Sequence, residues 1–134
     1  MKAPVLDSSV TLAWVLRDEQ SSRVDATLEQ VAKIGGTAPA LWWVEVRNVL
    51  VIAERRGRLT PEDTAVAVRA LDALGIHLDH APDNASLFRL ARTHGLSAYD
   101  ALYLELAVRQ QRPLATLDRK LSAAAQAEGI PLTA

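Results

Sequence analysis

Four carboxylates lie far apart in the chain but are the residues best suited to carry chemistry: Asp7, Glu45, Asp100 and Asp118. Brought together, they would repel one another at neutral pH unless a cation sat among them. Oxygen donors without histidine or cysteine select a hard ion, Mg²⁺ or Mn²⁺. Such a site polarises a phosphate, lowers the pKa of a bound water and offsets the charge that builds up during phosphodiester hydrolysis. Three of the acids also have a plainer reading. Asp7 and Asp118 stand where a helix cap belongs, and Asp100 falls three residues after Ser97, as the acid of a capping box would. Glu45 is harder to explain, because residues 40–52 are otherwise almost wholly apolar and a lone charge is expensive to bury. Asn48 shares its side of the helix one turn on, while Arg47 points nearly opposite.

The elements that must position these acids alternate between strands and helices. Residues 1–6 form a short apolar strand that runs into Asp7-Ser8-Ser9 and a helix through Val10, Leu12, Ala13 and Leu16. A second helix is predicted over residues 21–33, closed by Gly35-Gly36, followed by a strand over 37–40 and a helix over 41–56. Thr60-Pro61-Glu62-Asp63 is a strong helix start, a structural signal that predicts a helix to Leu74. A strand over 76–78, a helix from Asp83 to a stop at Gly95, and a helix over 97–109 come next. Residues 114–116 read as a strand, 118–128 as a helix and 130–132 as a last strand. Short apolar strands between helices imply an α/β class: a parallel sheet of four to five strands with helices on both faces. Ligands of such sheets bind at the carboxyl ends of the strands, where Asp7 and Asp118 both map.

The chain has 134 residues, 49% of them hydrophobic, which is enough for one domain over residues 1–134. It contains no cysteine, so disulfides and thiolate chemistry are excluded, and a reducing cytoplasm is the expected compartment. Neither a signal peptide nor a membrane span is expected. A net charge of −1 removes the argument from a globally basic surface, so any nucleic-acid contact must rest on local charge, which a bound cation would supply. Arg55, Arg56 and Arg58 could meet RNA phosphate, an acidic partner or solvent, with solvent the default. His77, His80 and His94 lack metal-ligand spacing and read as structural or surface residues. Trp42 and Trp43 point about 100° apart on a helix, so one should be core and the other exposed at an interface.

Four segments in order carry a family resemblance: Val5-Leu6-Asp7-Ser8-Ser9-Val10, Glu45 with Asn48, the run from Leu96-Ser97-Ala98-Tyr99-Asp100-Ala101 on to Ala107, and Pro113-Leu114-Ala115-Thr116-Leu117-Asp118-Arg119-Lys120-Leu121. With these the sequence resembles a PIN-domain ribonuclease, and within that group the VapC toxins of bacterial toxin–antitoxin pairs. The resemblance implies a three-layer α/β/α fold, with Asp7, Glu45, Asp100 and Asp118 as metal-binding acids. It also implies that Thr116, with Ser8 or Ser9, orders the site. The family cuts single-stranded segments of structured RNA, often transfer RNA, leaving a 5′-phosphate and a 3′-hydroxyl. A homodimer and a VapB antitoxin whose C-terminal tail blocks the acidic pocket are implied partners.

Rival folds with acidic pockets fit less well. A receiver domain expects paired acids after its first strand and a lysine after a late one, and here two serines follow Asp7. A haloacid-dehalogenase phosphatase expects a second aspartate where this chain has Ser9. A PIN-like or receiver-like domain that only binds a protein partner is the remaining alternative.

Overall fold

The computed structural model describes residues 2–17 and 21–133. Met1, read as the first residue of the opening strand, and Ala134, the end of the expected domain, lie outside the described residues. The order is β1 (Val5–Leu6), α1 (Ser8–Leu16), α2 (Ser21–Ile34), β2 (Thr37–Pro39), α3 (Leu41–Arg55), α4 (Pro61–Ala73), β3 (His77–Asp79), α5 (Asn84–His94), α6 (Ala98–Gln110), β4 (Leu114–Ala115) and α7 (Arg119–Ala127). The four strands form one sheet in the order β3-β2-β1-β4, with every pair parallel. This is the expected α/β class.

Alternation along the strands sorts the helices into two layers, because successive side chains leave a strand on opposite faces. Val5 and Leu114 join a core with Trp42, Val46 and Leu50 of α3, Leu90 of α5 and Tyr103, Leu104 and Leu106 of α6. Leu6 and Ala115 face the other way, onto Val10 and Ala13 of α1 and Val24, Leu28 and Val31 of α2. Strands β1, β2 and β4 are therefore buried, as strands of parallel sheets usually are, while the edge strand β3 is partly exposed.

Helix ends follow local chemistry. Thr60 and Asp63 close a reciprocal capping box with Pro61 in the first turn of α4. Gly95 ends α5 at φ 63°, a conformation that glycine enters without penalty, and its N–H bonds Ala91 O. Gly36 has a different role: a Cβ there would sit 3.1 Å from Ile76 and 3.3 Å from Val31.

Three of the strands, β1, β2 and β4, are shorter than the sequence suggests, and β3 is shifted one residue on, to His77–Asp79. The opening strand is confined to Val5–Leu6, and the expected last strand shrinks to one parallel bridge between Leu114 and Leu132 at the sheet edge. Leu114 N–H still donates to Pro131 O and Thr133 N–H to Leu114 O, so β4 gains a partner without a full ladder. No helix of the described residues is long and apolar enough to cross a membrane.

Candidate functional site

Asp7 leaves the carboxyl end of β1, the strand between β2 and β4, and is 5% exposed. It stands at the N-cap position of α1, yet its side chain makes no cap bond. Its Oδ2 instead accepts from Ser9 Oγ at 2.8 Å and from Thr116 Oγ1 at 2.7 Å, with Ser8 Oγ 3.5 Å from Oδ1. Both principal hydroxyls have a lone pair engaged elsewhere. Ser9 Oγ accepts from Leu117 N–H at 3.0 Å, and Thr116 Oγ1 from Asp118 N–H at 3.1 Å. Their hydrogens are thereby directed at Asp7, because a hydroxyl has a single hydrogen to place. Thr11, one turn into α1, takes the indole N–H of buried Trp42 at 3.0 Å and so fastens α3 to the base of the site.

Glu45 enters from the second turn of α3 and is half-buried. Its Oε1 accepts from the Tyr103 hydroxyl at 2.5 Å. Asn48 is exposed one turn further on. Asp100 is half-buried in the first turn of α6, where its N–H donates to Ser97 Oγ at 3.2 Å. Asp118 is exposed and caps α7, its Oδ1 taking Leu121 N–H at 2.8 Å. The cap reading therefore fails for Asp7 and holds for one oxygen of Asp118.

The charge environment joins these acids. Burial pushes the Asp7 carboxyl above its ordinary range, and the Asp100 charge adds to this against the lowering effect of Thr116 and Ser9. Burial also raises Glu45; its bond from Tyr103 opposes the shift, and the charges of Asp7 and Asp100 reinforce it. Asp100 is raised by burial and then by the Asp118 charge, opposed by Ser97 and Lys120. Desolvation, the hydrogen bond to Glu45 and the Glu45 and Asp7 charges hold the Tyr103 phenol in its protonated form. Among the described residues Asp7, Glu45 and Asp100 form no ion pair.

A set of carboxylates oriented by neutral hydroxyls and lacking a cation of their own fits a hard divalent ion in its donor chemistry. The acids are within electrostatic range but not clustered: among the described residues no three acidic, histidine or cysteine side chains stand ready to hold one ion.

The histidine His94 and the two adjacent tryptophans make structural contacts. His94 Nε2 meets Glu128 at 2.7 Å, beside a two-nitrogen contact from Arg89. Trp42 is core at 4% exposure and Trp43 is 49% exposed, with the Arg47 guanidinium 3.9 Å over its ring. Two residues were not singled out from the sequence, Tyr103 and Glu105. Glu105 is 1% exposed and held by Arg109, a pairing that its i, i+4 spacing on an apolar helix signals. Tyr103 carries no local signal, since its partner is 58 residues away.

Known proteins resemble the chain over most of its length. The PIN domain family matches residues 5–127. Ribonuclease VapC3 of Pyrobaculum aerophilum is 31% identical over 122 residues, which covers 88% of this chain and 91% of that protein. The crystal structure of PAE2754 from Pyrobaculum aerophilum superposes with a TM-score of 0.75 at 21% identity, covering 98% of this chain and 83% of that one. At that identity the superposition speaks for the fold alone.

Proposed function

The chain belongs to the PIN-domain family, with a VapC ribonuclease among its relatives, and from that premise we propose that it is the endoribonuclease toxin of a type II toxin–antitoxin pair. In this reading residues 1–134 form one PIN domain that acts in the cytoplasm as a homodimer. Its substrate is RNA, with transfer RNA the first class to test, and a VapB-type antitoxin restrains it.

The observation that carries the proposal is Asp7. A buried carboxylate at the carboxyl end of a parallel strand, repelled by neighbouring acids and given hydroxyls instead of a cation, is poor material for stability. It is good material for a cation site. Asp7, Glu45, Asp100 and Asp118 would hold Mg²⁺ or Mn²⁺. When bound, such an ion supplies Lewis-acid polarisation of a phosphodiester and local positive charge.

The chain's own residues prepare that chemistry. Ser9 and Thr116 fix one oxygen of Asp7, and Ser8 lies beside the other. Asp118 commits one oxygen to α7 and keeps the second for the site. Ser97 fixes the first turn of α6 and with it Asp100. Asn48, exposed on the side of α3 that carries Glu45, is assigned to the rim where RNA would enter.

The test compares wild type with Asp100→Asn for melting temperature with and without millimolar Mn²⁺, and for cleavage of transfer RNA. The wild type should rise by several degrees, since a hundredfold excess over Kd stabilises by ~2.7 kcal/mol. The variant should show neither the rise nor cleavage, while its apo form melts no lower than wild type, because one member of a repelling set has been neutralised. No rise and no cleavage in wild type would favour an acidic-pocket protein-binding module, the reading closest to the open spacing of the acids.

A further inference from the structure

The geometry points to Tyr103 as a positioning residue: its buried hydroxyl fixes one oxygen of Glu45 so that the other is presented to the cation. The inference rests on the metal-site reading above and extends it to a residue outside the four acids.

Three observations carry it. First, Tyr103 is 1% exposed and its ring lies in the core with α3, β1 and β4 residues, so the hydroxyl is a donor on a rigid support. Its 2.5 Å bond to Glu45 Oε1 crosses from α6 to α3 and ties the two helices at the site. Second, Tyr103 and Asp100 are three residues apart on α6, a spacing that puts them on one side of the helix. One rigid element thus carries an acid of the site and the donor that aims another. Third, the acids differ in how freely they could move. Asp7 is short and is held by two hydroxyls. Glu45 has an additional rotatable bond and only a half-buried side chain, so it needs an outside anchor to hold one rotamer. The Ser8 hydroxyl is a weaker second neighbour of the same carboxylate.

The kind of donor matters as much as its position. A guanidinium in the place of Tyr103 would orient Glu45 equally well but would neutralise it. A phenol orients the carboxylate and leaves its charge for the ion, as outer donors at metal sites do.

The experiment is Tyr103→Phe, which keeps the ring and removes only the hydroxyl. Mn²⁺ affinity is read from the electron paramagnetic resonance of free Mn²⁺, at a temperature where circular dichroism shows both proteins folded. Mn²⁺ alone is the probe, so no RNA need be known. The variant should bind Mn²⁺ about 10- to 100-fold more weakly than wild type. Equal affinity in the two folded proteins would overturn the proposal alone, and Tyr103 would then be a core residue that happens to meet Glu45. If wild type binds no Mn²⁺, the metal-site reading falls and takes this inference with it.

Discussion

Asp7 and Asp79 invite comparison: each is an aspartate at the carboxyl end of a parallel strand, Asp7 buried on the inner strand β1 and Asp79 half-buried on the edge strand β3. Their carboxyls are shifted in opposite directions. Asp79 is held below its ordinary range, chiefly by the hydrogen bond from Arg109, whose Nη2 lies 2.6 Å away. Asp7 is pushed up, because burial removes water and its hydroxyl partners only partly make up the loss. Arg109 also serves Glu105, at 2.8 Å from Nε, and Glu105 accepts the N–H of Asp83 at 3.4 Å. At β3 a guanidinium closes the strand end and turns two acids into structure. At β1 and β4 the hydroxyls leave the charge in place. The partner given to an acid at a strand end bears on whether it stabilises the fold or remains available for chemistry.

Exchanging the two aspartates for asparagine tests this contrast at its strongest. Asp7→Asn should reduce RNA cleavage by at least ~10²-fold, since the loss of a mere outer partner of a metal ligand already approaches that figure. Asp79→Asn should leave cleavage by the folded protein unchanged. Equal losses in a cleavage assay would mean that the two strand ends do not differ in role.

Removing the guanidinium probes the other side. Arg109→Ala strands Glu105, 1% exposed, without its cation and should destabilise the fold by about 3 kcal/mol. Urea denaturation measures it, and a loss within error of zero would show that Glu105 finds water or takes a proton instead.

The smallest effect is in pH dependence, where the two groups of acids should pull in opposite directions. Asp7, Glu45 and Asp100 have raised pKa values in the folded state, so ionising them weakens the apo protein. That penalty is full above the raised values and disappears as the pH falls towards the ordinary carboxyl range. Asp79 and Glu128 have lowered values, so their contribution is present above the ordinary range and is lost as the pH falls through the depressed ones. Calorimetry of the apo protein should therefore show the melting temperature rising as the pH falls through the raised values towards the ordinary carboxyl range, and falling only in stronger acid. Saturating Mn²⁺ should move the optimum back towards neutral pH. A monotonic fall from pH 7 downwards would remove the distinction between the two groups.

Much of the fold could be read from residue order because its signals are local. The cap at Thr60, the start at Asp83, the stop at Gly95 and the cap at Ser97 each depend on a few neighbouring residues. Strand lengths were less legible, since a strand extends only as far as its neighbours pair with it. Residues 130–132 have the composition of a strand but meet β4 at a single bridge. The acids could be picked out by type and placement, Glu45 by its apolar surroundings. What could not be read is how each carboxylate is answered. Asp7 and Asp118 look alike in sequence, each before a helix, yet one is held by Thr116 from 109 residues away and the other caps its own helix.

The pairing of β1 with β4 sets a condition on biosynthesis. Val5 pairs with Leu114, Asp7 N–H bonds Ala115 O, and the acids span positions 7 to 118 of 134. Contacts this distant in sequence form late, because a long loop must close before they repay its entropy. A chain emerging from the ribosome with α1 to α5 complete would still lack α6, β4 and the hydroxyl of Thr116. Its first aspartate would have Ser9 and the α3 acid Glu45 but would lack Thr116, Asp100 and Asp118, so the site is complete only once β4 and the start of α7 have been made.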